Sequence, residues 1–222
     1  GLEVVSMTLE PIAAINAAIP KDLRLLNLAL IDIGAGTSDI AVCRDGAVTG
    51  YTMATVAGDE ITEVLMKQFL VDFQTAEQIK MQYAAQESLS FTNILGLEET
   101  VSRAQIEQLL TDPIGHLAGE IVKRVTELNN GAPSAVFLAG GGSKLAGLKE
   151  AVSEKFNMDA KRVAIAGGNF RLSAFSDQYD LNNPEYTTPL GIAVSSGLRL
   201  LQDSLQILLN GKPAKIFKSG TL

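Results

Sequence analysis

Apolar residues fall along this chain in two rhythms. Short dense runs suit buried strands, and three-and-four spacings suit helices packed by one face. The densest run, Leu28-Ala29-Leu30-Ile31, ends in Asp32, and a Gly-x-Gly-Thr turn leads to a second β-rich run, Ser38 to Cys43. Asp45-Gly46, both tolerant of positive φ, predicts a hairpin into a third strand, Ala47 to Thr55. Upstream, Gly1 to Ser6 reads as extended, and Glu10-Pro11 opens a small-residue helix over Ile12 to Ile19, with Pro where a missing N–H costs nothing.

Downstream, Asp59 is expected to cap a helix to about Leu70, with Ile61, Val64, Leu65 and Phe69 on one face. Gln74 to Tyr83 predicts a second, short helix, and Ser88 to Val101 one or two short strands. Ser102 starts a long helical stretch with Ile106, Leu110, Ile114, Leu117, Ile121 and Val125 on its core face, where Asp112-Pro113 predicts a kink or two abutting helices. Ser134 to Ala139 is a buried strand running into Gly140-Gly141-Gly142-Ser143, then a helix with Leu145, Leu148, Val152 and Phe156 inward. Val163 to Ala166 is a further strand, Gly167 to Pro184 a loop, and Thr187-Thr188-Pro189 the start of a helix to about Leu201. Asn210-Gly211 between Leu205–Leu209 and Lys212–Phe217 signals a closing hairpin, the pattern of a link to a further module.

In order, three strands joined by tight turns, a helix and an inserted piece precede helix, strand, helix, strand, helix. This predicts an α/β fold of ribonuclease-H-like pattern, a mixed five-stranded sheet flanked by helices with a small inserted α+β subdomain. Both glycine turns fall at carboxyl ends of strands, where α/β proteins bind ligands.

Composition narrows the function. The 222 residues suffice for a sizeable core, and 46% apolar with only 5% aromatic residues suits packing by Val, Ile, Leu and Ala. A net charge of -7 without a Lys/Arg cluster argues against a nucleic-acid surface, so anionic ligands must be held by backbone and a few side chains. Cys43 is the single cysteine, which excludes an internal disulfide. No apolar run is long enough to cross a bilayer and no signal peptide opens the chain, so a cytoplasmic protein is expected. The start at Gly1 without Met suggests a piece of a longer protein.

Candidate chemistry concentrates at the glycine turns. Gly34 and Gly36 lack Cβ, so their N–H groups can approach phosphate oxygens, and consecutive N–H groups form an anion nest. Asp32 at the strand end suits a metal held through water. Glu10 serves either as a helix-terminal charge favoured by the dipole or as a carboxylate that orients a water at the turn. Gly140, Gly141 and Gly142 make a second anion or nucleotide edge, with Lys144 placed to lie over a planar group. Glu77 and Lys80, three apart, read first as a surface ion pair. His116 has no partner at ligand spacing, so a structural or exposed role is expected.

These motifs, in this order, resemble subdomain II of the actin-like ATPase superfamily. DIGAGTSD (Asp32 to Asp39) is similar to its second phosphate motif, LAGGGSKLAGL (Leu138 to Leu148) to its adenosine motif, and Gly1 to Ile19 to the connector between lobes. Within that superfamily the chain looks most like FtsA, through GLEVVSMTLEP, LALIDIGAGTSDIAV, AGDEIT (Ala57 to Thr62) and AEQIKMQYA. Ala35, Ala57, Ser38 and Ala84 depart from the residues usual at their positions.

The resemblance implies ATP or ADP with Mg²⁺. It implies Asp32 holding Mg²⁺ through water, Glu10 helping to place the hydrolytic water, and Gly34, Gly36 and Thr37 at the β- and γ-phosphates with Gly58 beside them. Gly140, Gly141, Gly142 and Lys144 would line the adenine, and Glu77 and Lys80 would reach the ribose and base. Subdomain IIA would span residues 1–70 and 102–203, subdomain IIB 71–101, and a hairpin or linker 204–222. It further implies a filament or adaptor protein of bacterial cell division, with a tubulin-like partner on subdomain IIB and self-association through the lobe absent here. That adaptor would be cytoplasmic, at the inner face of the membrane through other parts of the protein. Weak Mg-dependent ATPase activity is then a property of the full-length protein and not of this half alone. The alternative within the superfamily is a DnaK-like or reactivase-type chaperone ATPase.

Overall fold

The computed structural model describes residues 8–166 and 183–195. In chain order they form α1 (Glu10–Ala18), β1 (Leu28–Ile33), β2 (Ser38–Arg44), β3 (Ala47–Ala54), α2 (Gly58–Phe69) and α3 (Phe73–Gln82). There follow β4 (Ser88–Thr92), β5 (Glu98–Ser102), α4 (Arg103–Asn129), β6 (Ala135–Ala139), α5 (Leu148–Lys155), β7 (Val163–Ile165) and α6 (Thr187–Ser195). The extended start, most of the 167–184 loop, the helix beyond Ser195 and the closing hairpin lie outside the described residues.

The main sheet is mixed and five-stranded, in the order β3-β2-β1-β6-β7. β1 pairs antiparallel with β2 and parallel with β6, and β6 pairs parallel with β7. The Asp45-Gly46 turn adopts φ of 54° and 85°, the twist a two-residue hairpin needs. Both faces of the sheet are covered, which is why β1 opens on an unbroken apolar run, Leu28 to Ile31. Ala29, Ile31, Ile33, Ile40, Val42, Val136 and Leu138 join the core with α2, α4 and α5. On the other face Leu28, Leu30, Ala41, Cys43 and Ala139 pack with Ala14, Ile15, Ala18 and Ile19 of α1. Cys43 is fully buried and unpaired.

β4 and β5 form a separate two-stranded ribbon. Phe91 on it meets Phe69 of α2 with ring centroids 5.3 Å apart, so the inserted piece shares the main core.

Two expectations about helices are corrected. α4 is one helix of 27 residues running through Pro113, not two abutting helices. Pro113 deprives the Leu109 carbonyl of its helical donor, yet buried Ile106, Leu110, Ile114, Leu117, Ile121 and Val125 hold the helix on both sides of it. Its start is secured by a capping box between Ser102 and Gln105, worth about 1 kcal/mol. At α2, the N-cap is Ala57 and no side chain caps the helix; Asp59 sits within the first turn.

Candidate functional site

The Gly34–Thr37 turn is closed by the Gly34 N–H donating to the Thr37 carbonyl at 2.9 Å. The Gly34 and Ala35 carbonyls accept from the N–H groups of Gly58 (3.1 Å) and Asp59 (2.8 Å). The first turn of α2 therefore spends two otherwise orphaned donors on this loop, which explains how it does without a side-chain cap. With its carbonyls turned to α2, the loop leaves the N–H groups of Ala35, Gly36 and Thr37 with no backbone acceptor among the described residues, and all three are exposed. Three adjacent donors without a backbone acceptor in one turn are what an anion nest requires. A Cβ on Gly34 would lie 3.1 Å from the Thr37 carbonyl oxygen, whereas one on Gly36 would meet only Asp59 Oδ2 at 3.9 Å.

Beside the nest stand three carboxylates. Asp32 and Asp39 are register partners across β1 and β2. Burial chiefly pushes the Asp32 carboxyl above its ordinary value; the Thr188 hydroxyl, which donates to Asp32 Oδ2, opposes the shift, and Asp39 adds to it. Asp39 is raised by burial, and Glu10, in the first turn of α1, by burial and then by Asp39 and Asp32. None of the three has an ion-pair partner among the described residues. Nor do three acidic, His or Cys side chains there converge closely enough to ligate a metal directly. This donor set fits a hydrated divalent cation, held by carboxylates through its waters.

The second glycine turn abuts the first because β6 runs parallel beside β1, with Ala139 opposite Asp32. Gly140 has φ 77°, and a Cβ there would lie 2.3 Å from Asp32 Oδ1 and 2.4 Å from the Ile33 carbonyl oxygen. A Cβ on Gly142 would fall 2.4 Å from Ile33 Cγ2. These two glycines are thus demanded by the end of β1 itself. No α-helix starts at this turn, contrary to expectation: Gly141–Lys144 is a single 3-10 turn and α5 begins only at Leu148. The Ser143 hydroxyl donates to the Gly140 carbonyl at 2.7 Å and draws the chain into that tighter turn. Lys144 Nζ lies 2.6 Å from Glu185 Oε1 in an exposed ion pair.

Glu77 and Lys80 do more than pair on a surface. Lys80 Nζ donates to the Gly58 carbonyl at 3.1 Å and to Thr62 Oγ1 at 2.7 Å, and pairs with Glu77 Oε1, on which the buried Thr62 hydroxyl also converges. The pair thereby joins α3 to the start of α2, beside the Gly34 turn. Among the described residues no hydrogen bond joins it to Gly140–Lys144, although Tyr83 Oη reaches the Ala146 carbonyl at 3.3 Å. His116 is exposed. A cleft of about 770 Å³ opens between α4 and α5, but none of the candidate residues lines it.

A family model described as "Cell division protein FtsA" matches residues 29–191. The chain belongs to the FtsA family. It is 28% identical to the FtsA of Pseudomonas aeruginosa over 226 residues, covering 95% of this chain and 52% of that protein. With Neisseria meningitidis FtsA the identity is 27% over 210 residues, covering 86% and 48%; with Bacillus subtilis FtsA it is 24% over 206 residues, covering 86% and 43%. The chain spans about half the length of these FtsA relatives. Among solved structures, MreB5 of Spiroplasma citri bound to ADP superposes with TM-score 0.67 at 19% identity, covering 93% of this chain and 63% of that one. The PilM-PilN type IV pilus biogenesis complex gives 0.65 at 19%, covering 86% and 52%. This FtsA-family chain therefore has the actin-like ATPase fold.

Sequence reading missed Asp39, Thr62, Glu185 and Thr188 as members of the site. Asp39 was within reach, since the hairpin register places it opposite Asp32. Thr188 and Glu185 lie more than 150 residues from Asp32 in the chain, and no local spacing announces a contact of that range.

Proposed function

We propose that this chain is the ATP-binding half of an FtsA-family protein acting in bacterial cell division as a nucleotide-dependent filament or adaptor. The observation that carries the reading is the run of N–H groups at Ala35, Gly36 and Thr37 without a backbone acceptor, beside three carboxylates without an ion-pair partner, among the described residues. Gly36 and Thr37, with Ala35, give their N–H groups to the terminal phosphates; Gly34, expected there from the sequence, instead spends its N–H on the Thr37 carbonyl and closes the turn, and Gly58 sets the nest against α2. Asp32 and Asp39 would hold Mg²⁺ through its waters, and Glu10 would orient the attacking water. When bound, Mg²⁺ would supply positive charge to the phosphates, and the fixed N–H groups would stabilise the charge that develops in transfer. Gly140, Gly141, Gly142 and Lys144 line the adenine, with Glu77 and Lys80 toward the ribose and base.

On this reading the nucleotide lies on an open face, which the rest of the full-length protein closes, and the chain by itself is inactive. Residues 1–70 and 102–203 serve as subdomain IIA, 71–101 as the subdomain IIB that docks a tubulin-like division protein, and 204–222 as a link onward. The protein works in the cytoplasm, at the inner face of the membrane; among the described residues no helix is long and apolar enough to cross one. The family match leaves the chaperone alternative without an observation in its favour.

The test is calorimetric titration of the full-length protein with Mg-ATP, with Asp32→Ala as control, and electron microscopy of the same samples. Binding lost in the variant, with ATP-dependent filaments, supports the reading. Equal heats in both proteins, or none in either, overturn it.

A further inference from the structure

α6 is pinned at its first residues by two consecutive threonines that reach different strands. Thr187 Oγ1 donates to the Ala166 carbonyl just past β7 at 3.3 Å, while Thr188 Oγ1 donates to Asp32 Oδ2 at the end of β1. Both threonines are buried. Farther along, α6 rests on α1 with no slack, since a Cβ on Gly191 would lie 1.9 Å from the Ala13 carbonyl oxygen. α1 carries Glu10 in its first turn. The helix pair therefore presents two groups to the same place, a hydroxyl from α6 and a carboxylate from α1.

The Thr188 bond is more than an anchor for α6. Thr187 already ties the helix to the sheet edge, and Gly191 already sets its depth. What Thr188 adds is a donor to a carboxylate whose other oxygen lies against Gly140 and which interacts, among the described residues, with the like-charged Asp39 and Glu10. A hydroxyl donor fixes one oxygen of such a group and leaves lone pairs on both for waters. Outer-shell partners of this kind orient metal-binding carboxylates, and their loss costs roughly 10–100-fold in metal affinity.

We infer that Thr188 is a positioning residue for Asp32: its hydroxyl fixes the carboxylate in the orientation that receives a hydrated divalent cation, and α6 holds it there through the Gly191–Ala13 contact. The inference rests on the reading of this face as the Mg-nucleotide site. It assigns α6, which carries none of the glycine motifs, a direct part in that site.

The experiment titrates Mn²⁺ into the full-length protein at saturating ADP and follows the free-ion signal by electron paramagnetic resonance. Thr188→Val, which keeps the shape and removes the donor, is expected to weaken Mn²⁺ by about tenfold or more. Thr188→Ser, which keeps the hydroxyl, is expected to stay within about threefold of wild type, a rescue that a purely steric role would not give. Thr188→Ala supplies a second hydroxyl-free variant should the valine fail to fold, judged by circular dichroism. Wild-type affinity in a folded hydroxyl-free variant, or a serine variant as weak as the valine one, overturns the role of Thr188 while leaving the nucleotide site standing. Absence of Mn²⁺ binding in the wild type overturns the site itself and Thr188's role with it.

Discussion

Asp32 and Asp39 face each other across the β1–β2 register, two carboxylates on one face of one hairpin. Like charges placed directly opposite cost stability in a sheet, and here burial raises both carboxyls above their ordinary value of 3.8. A folded-state value above the unfolded one means that the native protein binds more protons through that window. The contribution of these groups to stability is therefore fully present below the ordinary carboxylate range and is lost as pH rises through the raised values. Asp39→Asn removes one charge, so it is expected to stabilise the cation-free protein by about 0.5–1 kcal/mol at neutral pH, with the gain shrinking toward pH 4. Urea unfolding across pH 4 to 8 measures it, and a gain independent of pH would contradict the assignment. Mg²⁺ with nucleotide should stabilise the wild type more than the variant, by mass action on the folded state.

Glycines 115 and 191 give opposite answers to the same substitution. Gly191→Ala drives a methyl to 1.9 Å from the Ala13 carbonyl oxygen and 2.3 Å from its carbon, backbone that cannot rotate away. α1 and α6 must separate, and a loss of about 2–4 kcal/mol is expected. Gly115 lies inside α4, and a Cβ there meets nothing within 4 Å. Gly115→Ala should stabilise by about 0.5–1 kcal/mol through helix propensity. Chemical denaturation of the two variants side by side tests both signs at once.

The mixed five-stranded sheet and the two glycine turns at the ends of its strands were legible because each rested on local chemistry. The apolar run of β1, the Asp45-Gly46 turn and the two glycine runs each announce themselves within a few residues, and parallel pairing of β1 with β6 brings the glycine runs together. What stayed hidden was long-range or cooperative. Pro113 was expected to kink α4 or divide it in two; apolar packing on both sides keeps it one helix despite one missing hydrogen bond. Lys80 read as a surface charge because nothing in its own helix shows that Thr62 and the Gly58 carbonyl wait opposite.

Gly36 separates binding from folding better than any other residue of the turn. A Cβ there meets only Asp59 Oδ2, at ordinary contact distance, and Gly36 is not among the residues with positive φ. Gly36→Ala should leave stability within about 0.5 kcal/mol of wild type. The methyl nevertheless intrudes where a phosphate must approach three N–H groups, so nucleotide affinity is expected to fall at least about tenfold, since that factor corresponds to about 1.4 kcal/mol of lost contact. Gly140→Ala is the contrast, because its Cβ would collide with Asp32 Oδ1 and the Ile33 carbonyl; stability and affinity should fall together. Calorimetry with Mg-ADP and thermal melts of the two variants distinguish a binding turn from a merely structural one.

The Lys80 network makes the last prediction, on coupling between α3 and α2. Lys80 Nζ satisfies the Gly58 carbonyl, Thr62 and Glu77 together, with the two charged side chains only 15% and 28% exposed. Lys80→Met keeps the stem but removes the ammonium, leaving Glu77 half-buried without its partner, so a loss of about 1–3 kcal/mol is expected. Glu77→Gln in that background should recover part of the loss, because the amide no longer demands a counter-charge. A double-mutant cycle on Lys80 and Glu77 would then show coupling above about 0.5 kcal/mol. Strict additivity would mean that each side chain is solvated on its own, and that α3 is held to α2 by the apolar contacts of Ala76 and Ile79 alone.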